Sequence, residues 1–198
     1  MGRIRGADHS LKLEKGVVEV YTGNGKGKTT ASIGLAIRAS GWGLKVSIYY
    51  FMKTGGYGEN ISLSAFKNIK QKFFGKDYFL TKDENIAKKY NAVLVKEKPP
   101  EDYVKLVKDG VEEARKEMMS LESDIIILDE ILTAIFYGLV EINVLLNLIN
   151  DKPENVELVL TGRYAPKEII DRADLVTEML EVKHPYSKGI QARKGIEY

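Results

Sequence analysis

Between residues 21 and 30 the chain reads Tyr-Thr-Gly-Asn-Gly-Lys-Gly-Lys-Thr-Thr. These residue types suit the grip of a polyphosphate. Gly23, Gly25 and Gly27 let backbone N–H groups converge on phosphate oxygens. A helix starting just after them adds roughly half a positive charge at its N-terminus. Lys28 neutralises phosphate, and the Thr29 hydroxyl is placed to ligate a phosphate-bound Mg²⁺. Thr22, Asn24, Lys26 and Thr30 complete the candidate nucleotide loop. The first Gly of the P-loop pattern G-x-x-x-x-G-K-[ST] falls on Thr22, so the triphosphate pose can differ from the common one. Lys28 is expected to lie exposed in the loop.

A second stretch, Ile125-Ile126-Ile127-Leu128-Asp129-Glu130, runs four apolar residues into two carboxylates. At the C-terminal end of a buried strand such acids sit beside the loop, where they hold Mg²⁺ directly or through water. Thr29 and Glu130 are the expected metal ligands, with Asp129 beside them. Thr161-Gly162-Arg163 reads equally as a polar contact to nucleotide or as a strand-ending turn. His184 lacks a clustered partner and reads as structural. The aromatic and lysine mixture of residues 66–90 reads as core or pocket lining.

Those residues need a scaffold, and the surrounding pattern supplies one. A strand over 16–21 leads into the loop, and a helix follows from Ala31 to Arg38 and on to about Ser40. Lys45 to Phe51 alternates as a second strand, and Met52 to Asn60 reads as a glycine-containing loop. Residues 61–100 carry no clear period. Glu101 to Leu121 is an amphipathic helix with Val104, Val107, Val111, Ala114, Met118 and Leu121 on one face, and Gly110 within it costs about 1 kcal/mol against Ala. Strand 124–129, helices to Gly138 and over 141–150, strand 156–160, a short helix 166–172 and strand 175–182 follow. Strands alternating with helices indicate an α/β fold with a mainly parallel sheet. Residues 1–15 read as a mobile N-terminal arm, and 16–198 as a single domain.

Composition bounds the class. The 198 residues carry 30 basic and 28 acidic side chains, a net charge of +2, which makes no case for nucleic acid or a membrane surface. There is no cysteine, so disulfides, thiolate nucleophiles and Cys-zinc sites are excluded. No secretory signal and no apolar run of membrane-spanning length is visible, and a cytoplasmic protein is expected. The guanine-reading N/T-K-x-D element is absent, as is the D-x-H-x-x-G pattern that ligates corrinoid cobalt through His.

Taken together these residues resemble the ATP:corrinoid adenosyltransferases. The matching features are Thr22 to Thr30, Arg38, Phe51-Met52-Lys53 with Gly58-Glu59, and Leu128-Asp129-Glu130. Thr161-Gly162-Arg163 and Ala173-Asp174 with Glu178 follow, then Val182-Lys183-His184, Gly189, Ala192 and Gly195 to Tyr198. Thr22 is itself part of that family's loop. The likeness covers about 17–60 and 124–198.

The resemblance implies a RecA-like P-loop sheet and a homodimer. It also implies transfer of the 5′-deoxyadenosyl group of ATP to a cob(I) corrinoid, with tripolyphosphate released. It brings Arg38 into the nucleotide-binding set, names Mg²⁺ or Mn²⁺ as the metal, and calls for a reductant protein that supplies electrons. Of Phe73, Phe74, Tyr78 and Phe79, the dense aromatic cluster outside the expected strands, one or two are expected to press on the lower corrinoid face, the others being core. A P-loop ATPase or small-molecule kinase, and a nucleotide-dependent binding module, remain the alternatives.

Overall fold

Six parallel strands form the central sheet of the computed structural model, which describes residues 12–90 and 92–198. The strands are β1 (Val18–Thr22), β2 (Val46–Phe51), β3 (Ile69–Phe74), β6 (Ile125–Asp129), β7 (Glu157–Thr161) and β8 (Leu175–Glu178). Their order is β3-β2-β6-β7-β1-β8. The mainly parallel sheet flanked by helices is therefore as expected. A second, two-stranded parallel ribbon joins β4 (Phe79–Thr81) to β5 (Ala92–Leu94). Most of the expected arm, residues 1–11, lies outside the described residues. Leu13, just after it, packs partly buried against the core.

The sheet is sandwiched between helices. On one face α1 (Lys28–Gly41) buries Ala36 and Ala39 against Ile48, Ile127 and Val159, and α2 (Gly58–Leu63) adds Leu63. On the other face lie α4 (Glu101–Ser120), α5 (Ile131–Phe136), α6 (Ile142–Asp151) and α7 (Lys167–Ile170). They cover Tyr49, Phe51, Ile126, Leu128, Leu158 and Leu160. With both faces covered, β2, β6 and β7 are buried at every residue. That is why the sequence runs apolar there instead of alternating. The expected alternation of β2 is thus corrected: Ser47 and Tyr49 are as buried as Val46, Ile48 and Tyr50.

Residues 61–100 hold more regular structure than their sequence shows. β3 is an edge strand with Ile69 and Phe74 buried and lysines between. Phe73 and Phe74 therefore belong to a strand, and Phe79 to β4. The loop expected over 52–60 gives way to α2 at Gly58. In α3 (Glu84–Lys89), Asp83 caps the start by accepting from the N–H groups of Asn85 and Ile86.

Gly110 has a packing reason. A Cβ there would stand 2.6 Å from Phe74 Cγ and 2.9 Å from Phe51 Cε1. The helix gives up about 1 kcal/mol of propensity so that α4 can lie flush on the sheet's aromatic end. Two turns further, Glu117 is buried and takes hydrogen bonds from Ser47 (2.5 Å), Ser123 (2.8 Å) and Tyr49 (2.6 Å), with Lys72 at 3.1 Å. Burial pushes its carboxyl up. The hydroxyls of Ser47, Tyr49 and Ser123, with Lys72, override that and hold it down at about 2 against an ordinary 4.5.

A group depressed on folding stabilises the fold above its unfolded value. That contribution is lost as pH falls from 4.5 toward 2. Glu117→Gln should destabilise the protein by about 2–3 kcal/mol at neutral pH. In urea unfolding, the gap between parent and variant should close in acid below the ordinary carboxylate range. A gap of equal size at both pH values would show that the charge on Glu117 is not what stabilises.

Candidate functional site

Because the strands are parallel, their C-terminal ends share one edge, and each loop leaving that edge adds a side chain to one cleft. The cleft has a volume of about 670 Å³. Asn24 to Thr30 form one wall and Lys53, Tyr57 and Glu59 another, with Glu130 and Arg163 between them. His184 and Gly195 to Tyr198 of the C-terminal tail close the rim.

The loop itself is held from several sides. Gly23 and Gly27 sit at φ 93° and 130°, which side-chain-bearing residues rarely adopt. The Gly25 N–H donates to Met179 O at 2.7 Å, tying the loop to the residue after β8. Lys26 donates to Ile196 O at 2.9 Å and pairs with Glu197 at 3.4 Å, so the tail folds back on the loop. Lys28 is the first residue of α1 and is buried, which corrects the expected exposure. Its ammonium donates to the carbonyls of Gly23 (2.7 Å) and Gly25 (2.8 Å). It needs that position because it reaches back from the helix across the concave side of the loop. Burial pushes its pKa down; Arg163 and Lys53 add to this, and Glu130 and Asp129 oppose it.

Asp129 ends β6 with no exposed surface. Its Oδ1 accepts from Thr29 (2.9 Å) and Thr161 (2.7 Å), and its Oδ2 accepts from Lys53 at 2.6 Å. Lys53 also donates to Thr29 Oγ1 at 3.1 Å. Burial lowers the Lys53 pKa, but Asp129 and Glu130 override it, and the net shift is upward. Glu130 begins α5 in the left-handed region (φ 62°), and its Oε2 accepts from Thr133 at 2.6 Å. The Thr133 hydroxyl also accepts from the Arg163 N–H, which fixes the turn after β7.

The structure thus brings Asn24 to Thr30 and Glu130 to the cleft wall, with Asp129 behind it. It does not bring in Arg38, which lies exposed in the last turn of α1. Ten residues from Lys28, that turn is about 15 Å along the helix. Thr22 is buried at the end of β1, where its hydroxyl accepts from the Ala165 N–H at 3.3 Å. Its role there is to tie β1 to the segment after β7. Gly23 contributes its carbonyl to Lys28. Lys53, Glu59 and the tail are cleft residues that only the family resemblance marked, and Tyr57 is one that nothing in the sequence marked. The signal for Lys53 was its place two residues beyond the end of β2. His184 lines the rim, and its Nδ1 caps the turn Pro185–Lys188 by accepting from Tyr186 N–H at 3.2 Å.

A parallel sheet with this loop between β1 and α1, and a buried Asp one strand beyond its neighbour, defines a P-loop nucleotide-binding protein. Comparison with known proteins gives the family. The profile described as ATP:corrinoid adenosyltransferase BtuR/CobO/CobP matches residues 14–198, and the chain belongs to that family. It is similar to the corrinoid adenosyltransferase of Pseudomonas aeruginosa, at 32% identity over 93% of this chain and 85% of that one. The Sinorhizobium enzyme of that name is 32% identical over 93% and 81% of the two chains. The Escherichia coli K12 enzyme is 29% identical over 93% and 87%. Among the described residues, no helix is long and apolar enough to cross a membrane.

Lys28 bonds to two carbonyls of the loop it serves, so removing it affects both loop and ligand. Lys28→Ala should lower ATP affinity by about 100-fold and cost about 1–2 kcal/mol of stability. Calorimetric titration and urea unfolding measure the two losses separately. A variant that binds ATP within about threefold of the parent would remove Lys28 from phosphate binding.

Proposed function

We propose that this chain transfers the 5′-deoxyadenosyl group of ATP to the cobalt of a reduced cob(I) corrinoid and releases tripolyphosphate. The observation that carries the reading is the cleft: Lys28, Lys53 and Arg163 surround Thr29 and the loop amides, in a chain of the corrinoid adenosyltransferase family. The Co–C5′ bond forms with cobalt's electron pair as the C5′–O bond breaks, and that bond's pair leaves on the tripolyphosphate. Cobalt(I) has no proton to remove, so the protein needs no general base. Its task is to hold a highly charged leaving group while charge builds on the departing oxygen. Lys28 and the loop N–H groups face that group, and Arg163 borders it.

The donor set fits a hard divalent cation such as Mg²⁺ or Mn²⁺: a Thr29 hydroxyl and the Asp129 and Glu130 carboxylates, all oxygen. Among the described residues there is no cluster of three or more His, Cys, Asp or Glu. That suits an ion which keeps waters and phosphate oxygens as ligands. Thr29 and Glu130 would hold it, and it would supply positive charge to the phosphates. A reductant protein that delivers the electron to cobalt, and a homodimer, complete the proposal.

The aromatic cluster divides. Phe74 stacks on Tyr49 and Phe51 and is core, and Tyr78 packs edge-on against Tyr103. Phe73 stacks on Tyr50 with ring centroids 5.0 Å apart. Phe79 is 67% exposed. It is the member of the four suited to press on a corrinoid face, because an apolar wall excludes both water and a lower cobalt ligand.

Incubation with ATP, Mg²⁺ and chemically reduced corrinoid, without oxygen, should yield tripolyphosphate and an adenosylated corrinoid in equal amounts. ADP as the phosphate product would replace this reading with phosphoryl transfer. Phe79→Ala should keep turnover from pre-reduced cobalt(I) and lose at least about tenfold of the cobalt(II)-dependent rate, with melting temperature unchanged. Equal losses on both routes would take Phe79 out of the lid.

A further inference from the structure

Lys53 is not part of the phosphate loop, yet its ammonium touches both groups that frame the cation position. It lies 2.6 Å from Asp129 Oδ2 and 3.1 Å from Thr29 Oγ1. Asp129 has no exposed surface, and a buried carboxylate requires a compensating charge. The Lys53 side chain, 18% exposed, provides it. The Thr29 hydroxyl gives its proton to Asp129 and accepts from Lys53. A divalent ion ligated by Thr29 Oγ1 at about 2.1 Å would stand within a few ångströms of the ammonium. Even with Glu130 counted beside Asp129, two carboxylate charges do not compensate three positive charges so close together.

We propose that Lys53 is an internal counter-ion that exchanges with the divalent cation: the ammonium and the metal hold the Asp129–Thr29 pair in alternation. The inference rests on the metal-nucleotide reading of this cleft. The surrounding chain is built for a side chain that moves on a fixed backbone. Met52, immediately before Lys53, adopts φ 59°, an unusual conformation for a non-glycine residue that the surrounding structure must hold in place. Its N–H donates to Phe74 O at 3.0 Å. Gly75 lies so close that a Cβ would be 2.2 Å from the Lys53 N. The backbone of Lys53 is therefore clamped from two sides. The rings of Tyr50 and Tyr57, 5.7 and 5.9 Å from the ammonium, offer it a second resting place.

The consequence is that metal binds weakly until phosphate compensates the extra charge, so the cation enters with the nucleotide. Lys53→Met should reverse this. Without metal the variant should melt about 5 °C or more below the parent, because Asp129 is left unpaired. Millimolar Mg²⁺, with no nucleotide present, should restore most of that loss, while the parent's melting temperature stays put. By calorimetry, Mg²⁺ alone should bind the variant at least about tenfold tighter than the parent. Lys53→Arg, which keeps the charge, should behave like the parent. Lys53→Gln gives the same comparison if Lys53→Met cannot be purified. Mg²⁺ affinities within about twofold of the parent overturn the exchange, and so does failure of both neutral variants to fold even in Mg²⁺. Parental protein that fails to bind ATP with Mg²⁺ would instead overturn the functional reading.

Discussion

A carboxylate with no exposed surface holds the site together. Asp129 takes hydrogen bonds from Thr29 on α1 and Thr161 on β7, and an ion pair from Lys53 after β2. Three chain segments thus converge on one side chain of a fourth. Each partner satisfies part of a charge that would be prohibitive to bury alone. The loop geometry, the start of α5 and the turn carrying Arg163 follow from it. The Glu130 N–H is held by the Thr161 hydroxyl, and Thr133 links Glu130 to Arg163.

Where a residue's job depends on its neighbours in sequence, the sequence was legible. The glycine loop, the isoleucine run into Asp129 and the α4 stripe declare themselves through spacing and hydrophobic period, and the structure has them there, except that Leu121 caps the end of α4 in the left-handed region and is exposed. The strand order also places the acid where the motif required it, at the same sheet edge as the loop. β3 was invisible because an edge strand buries little: only Ile69 and Phe74 are buried, and its lysines pair with Glu113 and Glu117 of α4. β4, α3 and β5 are too short for a period to register.

Long-range polar partnerships were illegible for a different reason. Lys53 and Asp129 are 76 residues apart, and nothing in either local sequence encodes their contact. The burial of Lys28 likewise follows from the direction of its side chain back across the loop, which composition does not reveal. Gly110 reads as a helix flaw until Phe51 and Phe74 are seen against it. In each case the deciding quantity is a distance between segments, and a periodic pattern carries information on only one segment at a time.

The strand order also has a temporal side. β1, which delivers the phosphate loop, pairs with β7 and β8 and with no strand made earlier. Val17, just before β1, donates its N–H to the Glu157 carboxylate, 140 residues downstream. As the polypeptide leaves the ribosome, β3 and β6 can each pair with β2 while the glycine loop still has no sheet to stand on. The chain must close its longest contacts last, when the loss of freedom in a long loop has to be met by the final strands. The glycine loop therefore gains its place in the sheet only once β7 and β8 are made, although its own residues precede both in the chain.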